Sequence, residues 1–128
     1  MKVLMDTHVF LWAMIDEARL SARARDVLKD ANITLVLSVA SAWEVMLKVQ
    51  AGKLRLPEAP GRYLEDRANL FGMERLPVEL RHVQHLEALP GHHRDPFDRL
   101  LIAQARAEGL PILTADPAFA RYDVEVIW

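Results

Sequence analysis

Four acidic side chains are the residues of this sequence whose type and placement could support chemistry. They are Asp6, Glu44, Asp98 and Asp116. If the fold brings them together, their charges repel one another unless a cation lies between them. Carboxylate oxygens, in a chain without cysteine, are ligands that suit Mg²⁺ or Mn²⁺. Such an ion activates water and neutralises the charge that develops on a phosphodiester, so this set of acids predicts metal-dependent phosphoryl transfer.

Two of these acids directly follow predicted strands. Asp6 ends the apolar run Val3-Leu4-Met5, and Asp116 follows the run Ile112-Leu113-Thr114 by two residues. In a parallel sheet both positions lie at the carboxyl edge, where ligands bind. Taken singly, each residue also fits an Asx turn or a helix cap, and Asp116-Pro117 is typical of an N-cap followed by proline.

Asp98 is distinguished from its neighbour Asp95 by its position on the helix that follows. Asp95 precedes Pro96 and is interpreted mainly as the N-cap, with a supporting contact at the cation site as the alternative. Asp98 shares a helical stripe with Leu101 and Ile102, which is expected to face the sheet. A carboxylate at the head of a buried stripe is costly unless it is paired or bound to a metal.

Glu44 has a strong structural explanation, because Ser41 and Glu44 have the spacing of a capping box and Glu44 and Lys48 that of a helical ion pair. Its position nevertheless favours a functional role. Glu44 lies in the first turns of a helix that leaves the carboxyl end of the second strand, and it therefore begins at the same edge as Asp6.

The elements that must position these acids alternate between strand and helix. Strands are predicted at 3–5, 33–37, 111–114 and 124–127, and helices at 8–15, 21–30, 39–51, 62–71, 78–89 and 96–108. This alternation predicts an α/β fold, a three-layer sandwich with a central, mostly parallel sheet.

Composition limits the remaining possibilities. The 128 residues suit a single domain over 1–128, and 52% of them are hydrophobic, enough for a core. The net charge of −2 argues against a nucleic-acid binder that relies on phosphate contacts alone, unless cations supply positive charge. No apolar stretch approaches the ~20 residues of a transmembrane helix, and the N-terminus does not resemble a signal peptide, so we expect a cytoplasmic protein without membrane contact.

The sequence resembles PIN domains, and in particular the VapC-like toxins of type II toxin–antitoxin systems. The matching segments are LMDTHVFLW (4–12), SVASAWEVMLKVQAGKLRLP (38–57), HRDPFDRLLIAQARAEGLPILTAD (93–116) and YDVEVIW (122–128). The resemblance places the four acids of that family on Asp6, Glu44, Asp98 and Asp116. It implies a Mg²⁺- or Mn²⁺-dependent endoribonuclease, a homodimer, an RNA substrate and a cognate antitoxin that covers the site. The extra acid at Asp95 leaves open which of Asp95 and Asp98 is the third ligand.

Several other polar residues flank the predicted site. Thr7 and Thr114 could orient a ligand or water, or only bond to strand ends. His93, Arg94 and Arg99 are candidates for RNA phosphate contacts, with a solvated loop as the alternative.

The five histidines do not have the spacing of a tight zinc site, and His82 and His85 are expected to form an exposed helical pair.

Four alternatives to a toxin nuclease are open to a chain of this kind. A receiver-type signalling domain would need paired acids after the first strand and a lysine after a late one, but Thr7 and His8 follow Asp6. A haloacid-dehalogenase-type phosphatase would need a second aspartate at His8. A pure interaction module would leave the acids without a purpose, and a housekeeping PIN nuclease would share the site without an antitoxin.

Overall fold

The computed structural model describes all residues from 1 to 128. Its strands are β1 (Lys2–Met5), β2 (Thr34–Ser38), β3 (Glu74–Leu76), β4 (Ile112–Leu113) and β5 (Val126–Ile127). Its helices are α1 (Thr7–Ile15), α2 (Ala22–Lys29), α3 (Val39–Gln50), α4 (Pro60–Leu70), α5 (Leu80–Gln84) and α6 (Pro96–Glu108). Short 3₁₀ turns follow at Glu17–Arg19, His85–Ala88 and Pro117–Arg121.

The five strands form one sheet in the order β3-β2-β1-β4-β5, and every pair in it is parallel. The chain moves outward from β1 to β3 and then crosses to the other side of β1 for β4 and β5. The strand order therefore reverses between β1 and β4, which is where ligands bind in open α/β sheets. Asp6 and Asp116 follow these two strands.

Alternate side chains of the strands enter two separate cores, as the two-residue period of a strand requires. Val3 and Met5 pack on one face with residues from α1, α2, α3 and α4. Leu4 packs on the other face against α6 and the turn at Pro117–Arg121. Helices thus cover both faces, and the predicted three-layer α/β architecture is confirmed.

The strand β3 was missed by the sequence analysis, and the helix predicted over 78–89 is only partly α-helical. The segment Glu74–Leu76 is largely exposed and has no apolar alternation, so only its pairing with β2 identifies it as a strand. Short, charged strands are common at sheet edges because they discourage pairing with other chains. The helix expected at 78–89 is shorter, and α5 continues directly into the 3₁₀ turn at His85–Ala88.

The expectation of an exposed His82–His85 pair is wrong for His82, whose exposed fraction is 0%. Its Nδ1 accepts the Glu79 backbone N–H at 3.0 Å, and its Nε2 lies 2.9 Å from Glu108 Oε2. The imidazole therefore joins α5 to the end of α6. His85 is exposed as predicted.

None of the helices is both long and apolar enough to cross a lipid bilayer.

Candidate metal centre

Asp6 is held at the end of β1 by hydrogen bonds to both of its carboxylate oxygens. Its Oδ1 accepts the His8 backbone N–H at 3.3 Å and so caps α1. Its Oδ2 accepts the Thr114 hydroxyl at 2.7 Å, and Thr114 Oγ1 in turn accepts the Asp116 backbone N–H at 3.1 Å. Thr114 therefore joins the turns that carry the first and fourth acids.

Asp98 and Asp116 meet at the ring of His93. His93 Nε2 lies 3.0 Å from Asp98 Oδ2 and 3.0 Å from Asp116 Oδ2. The ligand atoms of these three residues all lie within 4.8 Å of one another. Asp116 Oδ1 also accepts the Ala118 backbone N–H at 2.9 Å, so the expected N-cap is present together with the expected convergence.

Asp95 is the N-cap of α6, because its Oδ1 accepts the backbone N–H groups of Phe97 at 2.8 Å and Asp98 at 3.2 Å. Pro96 occupies the first position of the helix, where a missing N–H has no cost. The cap begins α6 at the point that projects Asp98 inward, and Asp98 is buried at 9% exposure.

Glu44 is buried on α3, and its surroundings differ from the expected capping box. Ser38 caps α3 by accepting the Ala40 N–H at 3.0 Å, so Ser41 is not the cap. Ser41 Oγ instead accepts the Thr7 hydroxyl at 2.8 Å. Glu44 Oε2 lies 4.0 Å from Lys48 Nζ, whereas Glu44 Oε1 is buried without a hydrogen-bond partner.

The structure brings three of the four acids into one cavity and places the fourth beside it. Asp6, Asp98 and Asp116 line a cavity of about 380 Å³, together with His8 and Trp12. Glu44 lines a second cavity of about 260 Å³ with Lys48, Asp95 and Phe97. A more enclosed and more apolar cavity of about 220 Å³ between α1 and α2 contains none of these acids, and its lining offers no comparable chemistry.

Burial and mutual repulsion raise the pKa of three of these acids. Burial raises the pKa of Asp98 to about 7, and the charges of Asp6 and Asp95 add to the effect. Burial also raises the pKa of Asp6, against the hydrogen bond from Thr114, and the pKa of Glu44. At Asp116 burial acts in the same direction, but the hydrogen bonds from His93 and Ala118 outweigh it, so its pKa is lowered.

This donor set fits a divalent cation. Five carboxylates from four separate segments have Lys48, His8 and His93 as their ion-pair partners, so negative charge is in excess. The unpartnered Glu44 Oε1 is an oxygen that a cation or a metal-bound water could satisfy. Oxygen atoms dominate the set, which favours hard cations. These acidic groups could therefore bind a metal ion.

The candidates for RNA contact lie in three different environments. Arg94 is exposed. Arg99 Nη1 donates to the carbonyls of Pro90 at 2.9 Å and His93 at 3.4 Å, so it stabilises the loop before α6. His93 points inward between two acids, which the sequence analysis missed. The only sequence signal for this position was that His93 precedes Asp95 by two residues and Asp98 by five. Spacing alone does not determine the path of a loop.

Comparison with known proteins gives matches along almost the whole chain. The PIN domain model matches residues 3–125. Ribonuclease VapC16 of Mycobacterium tuberculosis H37Rv is 36% identical over 64 residues, which cover 50% of this chain and 45% of that protein. The match thus spans less than half the length of this relative.

Solved structures share the fold at low sequence identity. VapBC2 from Rickettsia felis, bound to a DNA fragment from its promoter, superposes with a TM-score of 0.75 at 16% identity, covering 99% of this chain and 98% of that chain. VapBC-5 from Mycobacterium tuberculosis, a member of the VapBC family of toxin-antitoxin systems, has a TM-score of 0.63 at 22% identity and covers 98% and 97%. At these identities the similarity establishes the fold. With a family match over residues 3–125, the chain belongs to the PIN domain family.

Proposed function

We propose that this chain is a divalent-cation-dependent endoribonuclease and the toxin of a type II toxin–antitoxin pair. The observation that carries the nuclease proposal is the convergence of Asp6, Asp98 and Asp116 on one cavity, with Glu44 beside it. The negative charge there exceeds the positive charge of the neighbouring side chains, which supports a site that works with a bound cation.

Asp6, Glu44, Asp98 and Asp116 are the residues that would hold Mg²⁺ or Mn²⁺. The bound ion supplies charge neutralisation at the phosphodiester and lowers the pKa of a water molecule. Thr114 orients Asp6 through the bond to Oδ2, and Asp95 orients Asp98 by starting α6. Burial excludes water from the carboxylates of Asp6, Glu44 and Asp98, which strengthens their interaction with a cation and with the charge of the reacting group.

The partners belong to the proposal as well. Similarity to ribonuclease VapC16 supports RNA as the substrate. Similarity to members of VapBC toxin–antitoxin systems supports an antitoxin as the protein partner. A homodimer is also proposed, and the exposed apolar side chains of Val39, Trp43 and Leu47 on one face of α3 support a protein contact there.

RNA cleavage tests the nuclease proposal. Purified protein should cleave single-stranded RNA with Mg²⁺ or Mn²⁺ and lose that activity in chelator. Asp98→Asn should reduce the cleavage rate by about a thousandfold or more, because it removes a charge that contacts the reacting centre. The matched control is Asp66→Asn, which removes an exposed aspartate of the α4 ion pair and should leave cleavage unchanged. Equal cleavage by Asp98→Asn and wild type would contradict the assignment.

Growth measurements test the toxin role separately. Expression of the chain alone should arrest growth, and Glu44→Gln or co-expression of the reading frame immediately upstream should relieve the arrest. Harmless expression of folded protein that still cleaves RNA in vitro would contradict the toxin role. It would favour a housekeeping PIN nuclease.

A further inference from the structure

His93 lies closer to the acids of the candidate metal centre than any other histidine of the chain. It belongs to the loop before α6, and its Nε2 is 3.0 Å from both Asp98 Oδ2 and Asp116 Oδ2. Its side chain is 16% exposed. A histidine in this position could either bind the cation or orient the carboxylates that bind it.

The hydrogen bonds of the ring distinguish these two roles. His93 Nδ1 lies 3.2 Å from the Asp95 backbone nitrogen. A backbone N–H can only donate, so Nδ1 must carry the lone pair, and the proton of the neutral ring lies on Nε2. A carboxyl oxygen that carries no proton can only accept, so the Nε2–H matches Oδ2 of both Asp98 and Asp116. One tautomer satisfies all three contacts.

The loop holds this ring in place from several sides. The His93 backbone N–H donates to the Tyr122 hydroxyl at 2.7 Å, and its carbonyl accepts from Arg99 at 3.4 Å. The ring also packs edge-on against Phe119, with centroids 5.8 Å apart. Because Phe119 and Tyr122 are buried, these contacts fix the ring relative to the core and not only to the loop.

We propose that His93 is a positioning residue that holds the side chains of Asp98 and Asp116 in a fixed relation through its Nε2–H, and that it is not a cation ligand. This inference rests on the proposed function of the site. A nitrogen that carries a proton has no lone pair for a metal. Coordination through Nε2 would move the proton to Nδ1, where it would face the Asp95 N–H, whereas histidine ligands normally donate that second N–H to an acceptor.

The contacts of His93 Nε2 hold together two acids, Asp98 and Asp116, that lie on separate segments of the chain. Asp98 is carried by α6 and Asp116 by the turn after β4, and no other side chain joins their carboxylates. Like charges on separate segments move apart unless something bridges them. Asp95 contributes twice, since its carboxylate starts α6 and its backbone N–H selects the tautomer of His93.

Two substitutions separate positioning from packing. His93→Phe keeps a ring against Phe119 but removes the donor, whereas His93→Gln retains an amide N–H at a similar reach. Mn²⁺ affinity is measured by calorimetry on the full chain, with thermal unfolding in chelator as the check on folding. We expect His93→Phe to weaken Mn²⁺ binding about tenfold or more, as loss of a residue that orients ligands does, and His93→Gln to stay within about threefold of wild type.

The ring nitrogens give a readout that a merely structural role would not move. In ¹⁵N NMR spectra of histidine-labelled protein, His93 Nε2 should remain protonated when the protein is saturated with Mg²⁺. Loss of that proton, with both substitutions weakening Mn²⁺ binding equally, would make His93 a ligand and overturn the inference. Tighter Mn²⁺ binding by His93→Phe would also overturn it, since the ring would then compete with the cation.

The proposed function fails in a different way. If wild-type protein binds no Mn²⁺ and cleaves no RNA, the metal centre itself is wrong, and the role of His93 is wrong with it. If wild type binds Mn²⁺ and His93→Phe binds it equally well, only the positioning role of His93 is overturned.

Discussion

His82 and His93 are bound in the same way at Nδ1, and they differ in what surrounds Nε2. His82 Nδ1 accepts the backbone N–H of Glu79, three positions before it, and His93 Nδ1 accepts that of Asp95, two positions after it. Each then presents Nε2 to carboxylate oxygen, at 2.9 Å from Glu108 for His82.

Around His82 each carboxylate has a cationic partner. Glu108 is bound by the Arg81 guanidinium as well as by His82, and Arg81 also contacts Glu79. The hydrogen bond from His82, with support from Arg81, holds the pKa of Glu108 below its usual value against some burial. Every charge of this cluster has a partner, which is the pattern of a structural contact between α5 and α6.

Around His93 the charges do not balance. One imidazole N–H serves two carboxylates, and burial raises the pKa of Asp98 to about 7. Both clusters group histidine with two acids, and both place their ligand atoms within 4.8 Å. Composition therefore does not separate a structural cluster from the one that we propose to be functional. The excess of unpaired charge at a sheet edge does.

The largest expected effect is the response of metal-free protein to pH. The folded state holds a proton on Asp98 up to about pH 7, whereas the unfolded chain releases it near its ordinary value of 3.8. Between these values the folded state binds more protons, so stability falls as pH rises and the loss is complete above about pH 7. From pH 5 to 8 the free energy of unfolding in chelator should fall by roughly 2–3 kcal/mol.

Denaturant titrations at several pH values measure this slope. The raised pKa values of Asp6 and Glu44 act in the same direction. The pKa values of Glu108 and Asp116 are lowered, so these two groups act in the opposite direction. The stability that they contribute is present above their unfolded-state pKa values and is lost only when the pH falls below them. A flat profile from pH 5 to 8 in wild type, or an unchanged slope in Asp98→Asn, would contradict the unbalanced charge at this site.

Neutral substitutions in the two clusters should change stability with opposite signs. Asp98→Asn removes a repelled charge and should raise the free energy of unfolding of metal-free protein at pH 8 by about 1–3 kcal/mol. Glu108→Gln removes the acceptor of His82 and Arg81 and should lower it by about 1–2 kcal/mol, with RNA cleavage unchanged. Both are measured by denaturant unfolding in chelator. Destabilisation by both substitutions would mean that the clusters do not differ in the way described.

A smaller effect is expected at Asp95, whose carboxylate caps α6. Asp95→Ser should preserve the cap and most RNA cleavage, whereas Asp95→Ala should cost about 1 kcal/mol of stability. Unfolding and cleavage are measured on the same preparations. Loss of cleavage in Asp95→Ser at normal stability would show that the Asp95 side chain serves the cation site directly.

Sequence reasoning succeeded where local pattern and topology agree. The apolar runs before Asp6 and Asp116 were sufficient to place both carboxylates at one edge, because the carboxyl ends of parallel strands must meet there. The apolar stripe that Asp98 shares predicted its burial. The cap at Asp95 is a local hydrogen bond, and it was predicted.

The features that the sequence did not predict depend on contacts between distant segments. Glu74–Leu76 is a strand only because β2 pairs with it, and its composition carries no such signal. His82 is buried because Glu108, 26 residues away, offers an acceptor. His93 turns inward because it contacts Asp116 and Phe119. In the sequence, α6 and β4 separate these two residues from it. Periodicity describes one element at a time and cannot supply these partners.

Calorimetric titration with Mn²⁺ tests the central claim most directly, because it asks whether the excess negative charge around Asp98 is a cation site. Wild type and Glu108→Gln should bind Mn²⁺ with similar affinity and should melt at higher temperature when it is present, since a ligand of the folded state stabilises it by mass action. Asp98→Asn should bind at least tenfold more weakly and show a smaller rise in melting temperature. Absence of binding in wild type, or equal binding by Asp98→Asn, would contradict the account.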